Sequence, residues 1–200
     1  MPSVFKYNGN EIIDSSGKIT ASAQPKGAVI EQFMSPCDGS SITVQSGTYT
    51  VQNVTSEQAL TTSFAELTGS TINYTPPTGA QTVVYTFSYQ TAWTDTHSIC
   101  HVKLFLDNDS GTLTEVVYAR NTISGQNKEA RTNFVWAFHI GGSDDDNTGR
   151  RDTWSSARTI QLQAREYGTN NEARVHGTQY WDGGTTDMFS QPVIGITALA

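Results

Sequence analysis

A chain of 200 residues, 36% of them hydrophobic and 16% charged, can bury one sizeable core and carry an appendage. A formal charge of −7 with only five lysines argues against a nucleic-acid groove, because phosphate binding needs clustered cations. There is no run of 18 apolar residues, and the stretch from Met1 to Asn8 lacks a signal-peptide core, so neither membrane insertion nor secretion is expected and a soluble protein made in a cytosol is.

Thr and Ser make up 47 of the residues, a blend that favours strands joined by polar turns over helices. In residues 1–27, the apolar Val4, Phe5, Tyr7, Ile12, Ile13 and Ile19 are separated by the turn-forming Asn8-Gly9-Asn10 and Asp14-Ser15-Ser16-Gly17. Two readings fit: a partly disordered terminus, or an extended arm that becomes ordered only against a partner. On the second, Phe5, Tyr7, Ile12 and Ile13 are the attachment residues.

Residues 28–60 read as a short β-meander or connecting segment. Ala28–Phe33, Ser41–Val44 and Tyr49–Val54 are strand-like, with turns at Pro36–Gly39 and Gln45–Thr48. Ser56 to Leu60 could form one helical turn capped by Ser56.

Residues 61–200 read as a β-sandwich. Val83, Tyr85, Phe87, Tyr89 and Trp93 alternate with polar residues, and Cys100, Val102, Leu104 and Leu106 share a face of the next run. The two runs are expected to pair as a hairpin through Thr94–Ser98. Leu113–Ile123 follows the Asp107–Gly111 turn. Phe134, Trp136, Phe138 and Ile140 then stack on one face, opposite Asn133, Ala137 and His139. Ile160, Leu162 and Ala164 alternate with polar residues, and Gly168–Asn171 suggests a tight hairpin to Glu172–Tyr180. Pro192 to Leu199 is apolar on both faces, which suits a central strand or one between subunits. About eight strands without a credible helix suit a Greek-key sandwich or jelly roll. Val83, Tyr85, Phe87 and Tyr89 pack the core or a subunit interface. Apolar material beyond one core, on an acidic chain, implies self-association.

Cys37 and Cys100 are the only cysteines and are expected as reduced thiols, Cys100 in the core. No metal or cofactor is expected. His97 and His101 would lie roughly 13 Å apart on a strand, too far for joint chelation. Asp107-Asn108-Asp109 lacks the later acids of a calcium loop. Asp144-Asp145-Asp146 leaves a solvated loop tip, a calcium site or a clasp for Arg150 and Arg151. No Gly-x-Ser-x-Gly elbow occurs, and no paired carboxylates are marked, so enzyme activity is not expected. Trp154 beside Arg150-Arg151-Asp152, and Tyr180-Trp181-Asp182, could hold sugar rings by stacking and hydrogen bonding, or plug the sandwich end or a seam.

Leu67 to Pro77 followed by Val84 to Tyr89 is similar to the opening of the tumour-necrosis-factor and complement-collagen type of jelly roll. Cys37-Asp38-Gly39, Ser46 to Val51 and Gly69 to Pro77 resemble virion proteins of marine phages and large algal viruses, over roughly residues 27–140. The resemblance implies a homotrimeric jelly roll displayed on a virus particle, as a capsid-decoration or fibre protein. Its partners would be further copies of itself, other virion proteins through the N-terminal arm, and a host surface glycan. The alternative reading is a carbohydrate-binding module using Trp154, Tyr180 and Trp181.

Overall fold

The computed structural model describes residues 4–15, 17, 19–20, 23–93, 98–125, 129–169, 173–180 and 186–200. Among them every regular element of more than one residue is a β-strand. The chain opens with a hairpin, β1 (Phe5–Tyr7) and β2 (Asn10–Ile13). Asn8 and Gly9 between them both have positive φ, 48° and 79°, as a tight two-residue loop requires. The backbone then returns alongside, where Thr20 N–H donates to Ile12 O at 2.8 Å and Ile13 bridges Ile19. The segment expected to be an extended arm is therefore a folded hairpin, because Asn8-Gly9 reverses the chain.

The sandwich begins at β3 (Val29–Pro36), followed by the small hairpin β4 (Ser41–Val44) and β5 (Gly47–Thr50). Next come β6 (Gln58–Ala59), β7 (Ala65–Glu66), β8 (Ile72–Tyr74), β9 (Thr82–Trp93), β10 (Ser98–Asp107) and β11 (Leu113–Gly125). The remainder are β12 (Ala130–His139), β13 (Arg158–Glu166), β14 (Ala173–Val175), β15 (Gly177–Tyr180), β16 (Thr186–Phe189) and β17 (Val193–Leu199). The front layer runs β3-β17-β9-β12, and β14 with β6 extends it beyond the end of β17. The back layer runs β11-β10-β13, with β7 and β8 sharing the free edge of β13. If the eight principal strands (β3, β8, β9, β10, β11, β12, β13 and β17) are numbered in chain order, the layers read 1-8-3-6 and 2-7-4-5. That is the wiring of a jelly roll, as the strand inventory led us to expect.

Between the layers, Val83, Tyr85, Phe87 and Tyr89 of β9 are fully buried and share one core with Leu104, Leu106, Ile160, Leu162, Ile194 and Phe138. Each such side chain contributes roughly 1.5–3 kcal/mol. Phe134, Trp136 and Phe138 face this core, with Asn133, Val135, Ala137 and His139 outside. Strand β17 lies between β3 and β9 in its sheet, with Ile194, Ile196 and Ala198 toward the core and Val193, Gly195 and Thr197 on the outer side.

Four local expectations are corrected. β9 and β10 do not pair; they lie in opposite layers with their apolar faces turned toward one another, so each covers what a hairpin would have left exposed. β3 is paired with β17 and is part of the sandwich, so the boundary at residue 60 cuts through one core. Gln58–Ala59 pairs with β14, and Ser56 to Leu60 forms no helical turn. β13 and β14 belong to different layers, so the connection through Gly168 crosses the sandwich and is not a tight hairpin. Cys37 and Cys100 are both buried free thiols, and burial pushes each up to about 12.

Candidate functional site

At one end of the sandwich a cleft of about 800 Å³ opens between the Pro76-Pro77 bend, residues 152–155, the Gln45-Ser46 turn and Asp14, Ile19 and Thr20 of the N-terminal segment. Its edge is built on Glu31, a buried carboxylate that accepts Ser46 N–H at 2.8 Å, the Ser46 hydroxyl at 2.6 Å and the Tyr74 hydroxyl at 2.7 Å. Burial and the neighbouring Glu31 raise the Tyr74 pKa, keeping the phenol protonated as a donor. Trp154 lies at this cleft but is only 5% exposed. Its Nε1–H donates to Tyr74 O at 3.0 Å, its ring meets Phe138 edge-on at 5.7 Å, and Arg158 sits 5.8 Å from it. Trp154 thus plugs the sandwich end and offers no open face for a sugar.

Strand β15, which ends at Tyr180, starts beside Gln90, where His176 N–H donates to Gln90 O. Trp154 packs at the Val83 end of β9, so the two regions are at opposite ends of the sandwich. Trp181 lies outside the described residues. The structure does not gather Trp154 and β15 into one site.

The acidic triplet is consumed by its own loop. Asp145 accepts Asn147 N–H at 3.0 Å and the Thr148 hydroxyl at 2.8 Å, Asp144 accepts Asp152 N–H at 2.7 Å, and Asp146 pairs with buried Arg151 at 2.9 Å. The clasp is real for Arg151, while Arg150 donates to Ser143 O. Asp107-Asn108-Asp109 forms the β10–β11 turn, and Asp109 pairs with Arg158. Among the described residues no three His, Cys, Asp or Glu side chains are placed to share a metal ion. His101 and His139 lie on outward sheet faces. His176 is buried, and its Nε2 meets Thr68 O at 2.9 Å.

The two outer faces of the sandwich differ sharply. On the front, cross-strand rows read Met34–Gly195–Thr86–Val135, Gln32–Thr197–Val84–Ala137 and Pro36–Val193–Ser88–Asn133. None of these twelve residues is charged. Met34 and Val135 are 60% and 57% exposed, and the outward residues of the central strands β17 and β9 are mostly half-buried, making a shallow trough. On the back, the rows carry Arg165–His101–Thr122 and Glu66–Gln163–Lys103, with Glu115 and Arg120 on β11. Lys103 Nζ and Arg120 Nε both donate to Glu115, at 2.9 and 2.5 Å. In the N-terminal hairpin Phe5 and Tyr7 are 55% and 66% exposed, while Ile12 and Ile13 are half-buried.

Sequence reasoning missed both faces as units. Met34 and Gly195 are 161 positions apart, and only the β3–β17 register brings them together. Alternating polar residues on β10 and β13 were the one available signal for the charged face.

No protein-family model and no curated protein matches the chain. Among solved structures it is similar to a chain of infectious bursal disease virus, Gx strain, at 8% identity and a TM-score of 0.36, with all of this chain and 46% of that chain covered. It therefore spans less than half of the viral chain's length. It is also similar to TmCBM61, solved in complex with β-1,4-galactotriose, at 9% identity and a TM-score of 0.20, covering 86% of this chain and 88% of that one. Both are loose likenesses of a β fold.

Proposed function

We propose that the chain is a structural protein of a virus particle, a homotrimer at the particle surface that is attached by its N-terminal segment and contributes to host attachment. The observation that carries the self-association is the run of uncharged positions on the front face, which Arg131 borders where it donates to Ser88 Oγ at 2.9 Å. Twelve contiguous outward positions without a charge, on a chain of net charge −7, present a surface that loses little by leaving water. The virion reading is supported by the resemblance of Cys37 to Gly39, Ser46 to Val51 and Gly69 to Pro77 to phage and algal-virus virion proteins. Phe5 and Tyr7, exposed on a hairpin at the chain terminus, are the groups that would dock onto another virion protein.

On this reading the two roles are separable. The N-terminal hairpin pairs with itself and adds no strand to either layer. A chain lacking residues 1–27 is therefore expected to remain a trimer while no longer co-sedimenting with particles. A monomer after this truncation, or undiminished association with particles, contradicts the proposal. The alternative of a glycan-binding module loses its Trp154 contact, because that indole is buried.

A further inference from the structure

On the back face, a second hollow of about 310 Å³ lies over Phe64, a half-buried side chain carried by the loop that leads into β7. Lys103 Nζ sits 4.6 Å from the centre of the Phe64 ring and the Arg165 guanidinium 5.3 Å from it. The ring thus holds two cations from adjacent strands, β10 and β13, against one aromatic. A third cation, Arg120, comes from β11 by a different device. Val102 pairs with Asn121 and Leu104 with Val116, so β11 carries three extra residues opposite Lys103. That bulge brings Arg120 to the rim of the same hollow.

Three of the chain's twelve Lys and Arg side chains therefore converge on one small hollow of an acidic protein. Among the described residues Glu115 is the carboxylate that meets this group, bridging Lys103 and Arg120. Arg165 donates to the Thr62 carbonyl at 3.4 Å and forms no ion pair among the described residues. The hollow keeps a surplus of positive charge. Such a surplus repels itself and contributes little to folding, so its natural complement is an anion. Around the cations stand neutral hydrogen-bonding groups, Asn121 and Thr122, with Thr122 Oγ1 3.0 Å from His101 Nδ1. Burial and the adjacent Arg165 hold His101 below the ordinary imidazole range, so near neutral pH the positive charge comes from the three cations.

We infer that this hollow binds the carboxylate or sulfate of an acidic saccharide, with the guanidinium of Arg165 and the ammonium of Lys103 on the anion and Asn121 and Thr122 toward the sugar hydroxyls. A planar guanidinium matches a carboxylate or sulfate edge with two parallel donors. The volume matches one sugar ring at the lower end of ordinary ligand pockets. A long polyanion is disfavoured, because the remaining surface of a −7 chain repels it. The site lies on the layer facing away from the proposed trimer surface, so the inference stands whether or not the chain trimerises.

The test is titration of the full chain, followed by NMR or calorimetry, with N-acetylneuraminic acid methyl glycoside and glucose 6-sulfate, and with glucose as the neutral control. Both acidic sugars should bind and glucose should not. Arg165→Gln and Lys103→Met should each weaken binding by about tenfold or more, since each removes a charge-assisted donor. Glu115→Gln should tighten it several-fold, a gain that a misfolded variant cannot produce. Equal binding of glucose and the acidic sugars, affinity unchanged in Arg165→Gln, or binding of inorganic sulfate without binding of either sugar would overturn the assignment.

Discussion

The front and back outer faces belong to one sandwich and share one core, yet they are chemically opposite. The front presents twelve outward residues without a charge, from Met34 and Pro36 at one edge to Val135 and Ala137 at the other. The back carries Lys103, Glu115, Arg120, Arg165 and His101 within a few residues of one another. Both have the same strand periodicity and the same inward apolar residues, so the fold alone does not explain the difference. A sandwich needs only one apolar side per strand; what stands on the other side is free to serve association or recognition. A neutral face suits contact with another protein surface, and a charged face suits water and small polar ligands.

That comparison can be broken at its common support. Phe87→Ala removes a fully buried ring stacked at 5.3 Å on Tyr89 and should cost about 4 kcal/mol, taking both faces with it. Chemical denaturation followed by tryptophan fluorescence would measure it. A loss of under about 1 kcal/mol would mean that the layers are not held by this core.

Acid sharpens the contrast from inside the front layer. His176 packs edge-on against Phe87 and Tyr89, and burial lowers its pKa to about 4. The unfolded chain takes up this proton below about pH 6.5, while the folded chain resists it until about pH 4. Stability should therefore fall as the pH drops through that window, by up to about 3 kcal/mol, and the His176 contribution should level off below it. His176→Asn tolerates the positive φ of 64° at this position and should flatten the dependence in denaturation curves at pH 7, 5.5 and 4.5.

The smallest effect belongs to the back face. Lys103→Met breaks one arm of the Glu115 bridge and should change stability by less than about 1 kcal/mol, because Arg120 still pairs with Glu115 and the methionine keeps the apolar stem. A larger loss would make the charged face part of the scaffold.

Much of the scaffold was legible in the sequence and the pairing was not. Period-two alternation identified β9, β10, β12 and β13 and the apolar side of each, because burial on one face leaves a local signature; whether that side met the core or another subunit was not legible, and the structure turns it to the core. The double apolar character of residues 192–199 marked a strand with neighbours on both sides. The partner of each strand is a long-range choice. β9 and β10 read equally well as a hairpin or as opposing walls, and only closure of the whole sandwich decides between them. The loop aromatics were legible as residue types, while the burial of Trp154 depends on Phe138 and Tyr74, distant in sequence. Neither outer face could be assembled from local pattern, since the rows join β3, β9, β12 and β17.

The measurement that bears most directly on the proposed trimer through the front face is the mass of the purified protein in solution, by light scattering, with and without Val135→Glu. The account predicts three times the 21.8 kDa of the chain, and a monomer for Val135→Glu, while Gln161→Glu, on the outward side of β13 in the back layer, remains a trimer. A monomer of the unaltered chain at micromolar concentration, or a trimer untouched by a glutamate at Val135, would contradict it.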